Sequence, residues 1–207
     1  MKFYRDRIAP RLLDVACGVQ DFEPLRERVC AGLKGEVIEV GFGSGRNLAH
    51  YPAEVSAVAA VEPAGLAWRL ARPRVAAAAV PVRLAGLDGQ RLAAPDDSYD
   101  AALSTWTLCT IPDPVAALLE LRRVLKPGGS LHFVEHGLAP DAGVRRWQRR
   151  LEPIQRAVFD GCHLTRRIPD LLSSAGFVVT DLDTFYAPGP PKVIAATFLG
   201  VATPDGA

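Results

Sequence analysis

A run of β-compatible residues, EVIEV at 36–40, passes directly into three glycines at alternate positions, Gly41, Gly43 and Gly45. A strand that ends in such a loop, with a polar helix-compatible stretch behind it, brings backbone close to a ligand. Four further short apolar runs follow: VSAVAAVE (55–62), VPVRLA (80–85), YDAALST (99–105) and SLHFVEH (130–136). Between the last two, Val115, Leu118, Leu121 and Leu125 recur every three or four residues, which is one face of a helix. Asp113 can cap that helix with Pro114 at its first position, and KPGG (126–129) stops it, with glycine where a left-handed residue is needed. Strand and helix in alternation predict a parallel sheet with helices on both faces, joined by right-handed crossovers.

The last third differs. RRWQRRLEPIQRAVF (145–159) reads as a helix interrupted at Pro153, and IPDLLSSAGF (168–177) as a short helix ending at Gly176. FVVTDLDTFY (177–186) and KVIAATFLG (192–200) read as strands, close enough in sequence to pair antiparallel. The tail ATPDGA is expected to fray. The 207 residues fit one domain, 49% hydrophobic and 23% charged, and a formal net charge of +1 argues against nucleic-acid binding by bulk electrostatics. No stretch approaches the ~20 apolar residues of a membrane span, and MKFYRDRIAPRLL lacks the apolar core of a signal peptide, so a cytoplasmic chain is expected. Cys17, Cys30, Cys109 and Cys162 are widely spaced, with no metal motif among them; reduced, packed thiols and no metal are the expectation.

In an open parallel sheet, ligands collect beyond the carboxyl ends of the strands. One step past each run stand special residues: Gly41 to Gly45; Glu62 and Pro63; Asp88, Gly89 and Gln90; Ser104, Thr105, Trp106 and Cys109; Glu135 and His136. Glu62 can accept from both hydroxyls of a ribose. The dinucleotide fingerprint G-x-G-x-x-G would put its third glycine where Arg46 stands, and no phosphate-cradling G-x-x-x-x-G-K-[ST] is present. A ligand with a ribose and an adenine but no phosphate fits better, and S-adenosylmethionine is such a ligand. Its carboxylate could face the positive end of a helix beginning near Arg46.

EVGFGSGRN, VEP, DDSYDAALSTWTLCTIPDP and LRRVLKPGGSLHFVEH resemble, in order, the motifs of class I S-adenosylmethionine-dependent methyltransferases. STWTLCTIPDP, VEHG, DGCHLTR (160–166) and the early FYRDRIAPRLL are similar to the methyltransferase-like thiol methyltransferases of animals and their bacterial relatives. The resemblance implies an α/β, Rossmann-like, seven-stranded, mostly parallel sheet with helices on both faces and an antiparallel last strand. It implies one domain: an N-terminal helical lid (1–34), a cofactor-binding core (35–137), and acceptor-side helices with a terminal strand pair (138–207). The cofactor contacts it implies are Glu39, Gly41, Gly43, Gly45, Asn47, Glu62, Pro63, Asp88, Gly89, Ser104 and Thr105. The family usually has glutamate at Gln90 and phenylalanine at Ala94, which implies a looser adenine pocket here. The animal enzymes carry an N-terminal membrane anchor, which is not expected of this sequence.

Methyl transfer from a sulfonium is an in-line displacement, in which the protein holds a nucleophile about 3 Å from the methyl carbon and excludes water. A thiol with a pKa near ~8.5 needs little help. His136, and His163 oriented by Asp160, are the candidate catalytic groups; Trp106, Cys109 and Tyr4 are the candidate acceptor contacts. The expected reaction is methylation of a small-molecule acceptor, a thiol sulfur foremost, with S-adenosylhomocysteine as product. The alternatives are a lipid-like amine or quinone acceptor, with the arginines around Trp147 docking an anionic headgroup at a membrane surface, and a non-catalytic sensor of the cofactor.

Overall fold

The computed structural model describes residue 4 and residues 7–206. Seven strands form one sheet in the order β3-β2-β1-β4-β5-β7-β6. They are β1 (Gly35–Val40), β2 (Val55–Val61), β3 (Val82–Gly86), β4 (Tyr99–Thr105), β5 (Leu125–His136), β6 (Phe177–Tyr186) and β7 (Ala196–Pro204). The first five are parallel, and β7 runs antiparallel to both β5 and β6. The expected α/β sheet with an antiparallel last strand is therefore what forms.

Strand alternation divides the core into two layers. Ile38, Val40, Ala102, Leu131 and Phe133 face one side, under helices α4 (Pro114–Val124) and α6 (Ile168–Ser174), where Leu118, Leu121 and Leu172 are fully buried. Val37, Val58, Ala101, Leu103 and Val134 face the other side, under α2 (Glu23–Cys30) and α3 (Gly65–Ala77). The remaining helices are α1 (Ala9–Ala16), α5 (Ala142–Val158) and the single turn α7 (Lys192–Ala195). The edge strand β6 carries exposed Asp181 and Asp183, charges that discourage edge-to-edge association.

Asp113 caps α4 as expected, its carboxylate accepting from the Ala116 N–H at 3.0 Å. Four local expectations need correction. The helix α4 ends at Val124, and Leu125 is already extended, so KPGG is not its C-cap; Gly128, at φ 78°, falls at the register shift between the Leu125 pair with Tyr99 and the run of pairs from Ser130. Pro153 does not interrupt α5, because it lies on an exposed face where water can satisfy the carbonyl it frees. Residues 192–195 form a helical turn, and β7 starts only at Ala196. The tail does not fray where expected: Ala202, Thr203 and Pro204 belong to β7, and Ala202 is fully buried. Among the described residues, no helix is long and apolar enough to cross a membrane.

Candidate active site

The glycine loop leaves β1 through Gly41 at φ 76°. A Cβ there would meet Thr107 Oγ1 at 1.8 Å, so only glycine lets the loop pass the segment after β4. Gly43, at φ 58°, differs: the nearest atom to its would-be Cβ is the Gly41 carbonyl oxygen at 3.9 Å. The space in front of Gly43 is open, and a bare backbone faces it. Gly45 is also left-handed and starts a 3₁₀ helix, Arg46–His50. Five residues of 3₁₀ helix do not make the α-helical N-terminus expected near Arg46, so the loop lacks the α-helix dipole expected to face a carboxylate there. Arg46 instead turns to the N-terminal segment, its Nε donating to Asp14 Oδ1 at 3.0 Å. Asp14 also accepts from the Ser44 hydroxyl at 2.5 Å, which fastens α1 to the glycine loop.

Glu62 ends β2, is 6% exposed, and accepts from the Gly43 and Ala64 N–H groups, each at 2.7 Å. Burial pushes its carboxyl up, and the two backbone donors oppose that. A carboxylate offers about four acceptor positions, so two remain for a ligand. Pro63 follows it directly. Asp88 is held by Gln90, whose N–H and side-chain amide donate to Oδ1 at 2.9 and 3.1 Å. A Cβ on Gly89 would lie 2.5 Å from Val40 Cγ1, so this glycine is demanded by packing on β1.

Glu39 is fully buried on the α2 side of the sheet and pushed up to about 7, by desolvation first. Asn47 Nδ2 and the Tyr51 hydroxyl both donate to it at 2.6 Å. Asn47 also donates to Thr105 Oγ1 at 3.0 Å and accepts from Arg26 at 2.7 Å. Glu39, Asn47 and Thr105 thus form a buried frame under the loop. Ser104 departs from expectation. Alternation puts it on the opposite face from Thr105, and its hydroxyl donates to Glu135 at 2.7 Å. Glu135 is fully buried and also accepts from the N–H groups of Thr107, Leu108 and Cys109. It therefore sets the course of the chain after β4.

Trp106 opens that segment at φ 50°, a left-handed conformation unusual for a bulky residue. Its ring packs on Phe22 at 5.1 Å and lies 6.3 Å from the His136 ring, with the Arg26 guanidinium 4.9 Å from its centroid. Trp106 Nε1 and Arg26 Nε are buried donors with no hydrogen-bond partner among the described residues. The Tyr4 hydroxyl donates to the Val158 carbonyl, at the end of α5, at 2.5 Å.

The DGCHLTR segment is a strap over the chain after β4. Asp160 and Gly161 are left-handed, at φ 45° and 96°. The His163 N–H donates to the Cys109 carbonyl at 2.7 Å, and the Arg166 guanidinium donates to the Leu108 carbonyl. The His163 ring pairs with Glu152, not with Asp160 as expected, Nδ1 to Oε1 being 2.9 Å. The charge of Asp160 reaches Glu62 and helps to raise its carboxyl. The fold also brings Cys162 Sγ within 3.6 Å of Cys109 Sγ and 3.7 Å of His136 Nδ1, a grouping that the sequence spacing does not suggest. Arg26 and Asp14 carry no site signal in the sequence, and Glu135 is marked there only as an acid beside His136 at a strand end.

A protein-family model described as a methyltransferase domain matches residues 38–133. Human thiol S-methyltransferase TMT1A is 31% identical over 207 aligned residues, covering 96% of this chain and 80% of that protein. The chain belongs to the class I S-adenosylmethionine-dependent methyltransferases, in the TMT1 family. Rat thiol S-methyltransferase TMT1B is 41% identical over 98 residues, which are 47% of this chain and 39% of that protein. An S-adenosylmethionine-dependent methyltransferase from Thermotoga maritima shares the fold, with a TM-score of 0.68 over 97% of each chain at 23% identity. This methyltransferase uses S-adenosylmethionine, and its residues fit that cofactor. Gly43 faces open space, Glu62 keeps free acceptor positions, and Arg26 Nε is a buried cationic donor that could meet a carboxylate.

Proposed function

We propose that this methyltransferase transfers the methyl group to the sulfur of a small-molecule thiol. The observation that carries the reading is the likeness to human thiol S-methyltransferase TMT1A across 96% of the chain. Glu62 would hold the ribose hydroxyls, Gly43 would lie along the methionine portion, and Asp88 with Gly89 would border the adenine. Arg26 would meet the carboxylate. The bound cofactor supplies a methyl group already activated by positive charge. The chain's own work would be to exclude water, with Phe22 packed on the Trp106 ring, and to position the acceptor. His136, half-buried at the end of β5 with its ring 6.3 Å from that of Trp106, would bear on the acceptor thiol from that side. His163 and Asp160 are assigned to the strap.

A second reading, a lipid-like amine or quinone acceptor, is favoured by α5. Trp147, Ile154 and Val158 are exposed at 56%, 62% and 38%, in a helix that also carries Arg146, Arg149, Arg150 and Arg156. An apolar stripe among arginines suits the surface of an anionic bilayer. One experiment separates the readings: S-adenosylhomocysteine formation measured against a panel of alkyl thiols, amines, phenols and quinols. Turnover with thiols is expected. Product only with amines or quinols sinks the thiol assignment, and none with any acceptor favours a sensor.

A further inference from the structure

Three soft or borderline ligand atoms converge at the carboxyl ends of β4 and β5: Cys109 Sγ, Cys162 Sγ and His136 Nδ1 lie within 4.8 Å of one another. A tetrahedral zinc ion, with Zn–S bonds of about 2.3 Å and a Zn–N bond of about 2.0–2.1 Å, holds its ligand atoms about 3.6–3.8 Å apart. The two measured edges of this triangle, 3.6 Å between the sulfurs and 3.7 Å from Cys162 Sγ to the imidazole, have that length before any ion is added. The geometry points to a zinc site with two thiolates, one histidine and an open fourth position that takes the acceptor thiol. This rests on the thiol reading above only for the identity of the fourth ligand.

The backbone holds the ligands in place. Cys109 is fixed through its N–H on Glu135 Oε2 at 3.0 Å and through its carbonyl, which accepts from His163. Cys162 follows the left-handed Asp160–Gly161 pair, and its N–H donates to the Phe159 carbonyl at 3.0 Å. This is the backbone support a first ligand shell requires. Charge also balances: a divalent ion with two thiolates and a neutral imidazole has no net charge, so burying it strands none. Cys109 and Cys162 are buried while His136 is only half-buried, so the set reaches toward solvent at the imidazole. Among the described residues no fourth histidine, cysteine or carboxylate joins the set. Three protein ligands and a vacant position are the arrangement of catalytic zinc; four would be structural.

The chemistry follows. A thiol that occupies the fourth position gives up its proton to solvent and stays as a thiolate, because coordination to the ion deprotonates it. Its sulfur lone pair forms the new carbon–sulfur bond as the methyl carbon's bond to the sulfonium breaks, and that electron pair stays with the cofactor's sulfur. The product thioether is neutral, a poorer ligand than the thiolate, and leaves.

The test is a titration of the metal-free wild-type chain with Co²⁺, a spectroscopic stand-in for zinc. One equivalent should bind, with sulfur-to-cobalt charge transfer in the near ultraviolet and the intense visible bands of a tetrahedral ion. Zn²⁺ should abolish both. Adding an alkyl thiol should shift the visible bands. Cys109→Ser and Cys162→Ala, each checked for folding by circular dichroism, should lose the charge-transfer band. A spectrum of hydrated cobalt, binding undiminished in the variants, or a Cys109–Cys162 disulfide in protein purified under reductant overturns the site. Tetrahedral cobalt that ignores the thiol overturns the open position. Thiol turnover by a chain that binds no metal overturns the site and keeps the thiol reading; turnover of amines alone, with the cobalt result intact, does the reverse.

Discussion

Two buried carboxylates act in opposite ways at neighbouring strand ends. Glu62 is held from behind by two backbone donors and keeps its remaining acceptor positions toward the ligand side. Glu62→Ala should weaken binding of S-adenosylmethionine by on the order of 1.5–3 kcal/mol, the usual loss for a charged hydrogen-bonding group; calorimetry that finds unchanged affinity removes it from the site. Glu39 is spent on the protein itself, and its pKa of about 7 means the folded chain holds that proton more tightly than the unfolded chain, where the ordinary value is 4.5. The stability this contributes is complete below pH 4.5 and is lost as pH rises through about 7. Glu39→Gln keeps an acceptor for Asn47, and Tyr51 can turn to accept from the new amide. The variant should therefore lose that slope and gain, relative to wild type at pH 8, on the order of 3 kcal/mol. Urea unfolding of both chains at several pH values measures it, and parallel curves would refute it. Glu62 was legible from its place after an apolar run, whereas Glu39, inside the first run, is marked only by the family resemblance. Ser104 and Thr105 part company for a simple reason: adjacent residues on a strand face opposite ways, and Thr105 joins Asn47 while Ser104 joins Glu135.

At the level of elements, the five parallel strands could be read because each is a short β-rich run closed by turn or polar residues. What joins them at the site could not. Asp14 lies thirty residues before Ser44, and nothing in the local pattern of α1 marks it as the anchor of the glycine loop. Cys109, His136 and Cys162 come from three separate loops and strand ends, so only the sheet order and the strap bring them together. Nothing in the sequence sets Arg26 apart; it is 3% exposed and is met by Trp106 and Asn47, both distant in sequence. The α1 anchor makes a separable prediction. The Asp14–Arg46 pair is about one-fifth exposed on each side, so its contribution to global stability is modest. Asp14→Ala should lower cofactor affinity roughly three- to tenfold, about 0.6–1.4 kcal/mol, while the thermal midpoint shifts little. A fall in midpoint without a change in affinity would show that α1 supports the fold and not the loop.

For the whole molecule, the insertion of β7 between β5 and β6 is the feature on which the right-hand half of the sheet depends. Val201 and Ala202 pair with His132 and Leu131 on one side and with Asp181 and Val179 on the other. A chain ended at Gly200 should lose cooperative unfolding in calorimetry and bind dyes specific for exposed apolar surface; a single sharp transition would mean that β5 tolerates an open edge. The same strand reaches the site, since Thr197 pairs with His136 and Phe198 with Glu135. This has a consequence in time. Strand β5 ends at His136 and β7 at Pro204, 68 residues later. At roughly 5–20 residues per second on the ribosome, a nascent chain waits about 3–14 s with the edge of β5 unpaired. During that interval the half-made protein offers other nascent chains a strand to pair with, and its catalytic end is unfinished. Each copy becomes an enzyme only when its seventh strand slides between two neighbours that were made before it.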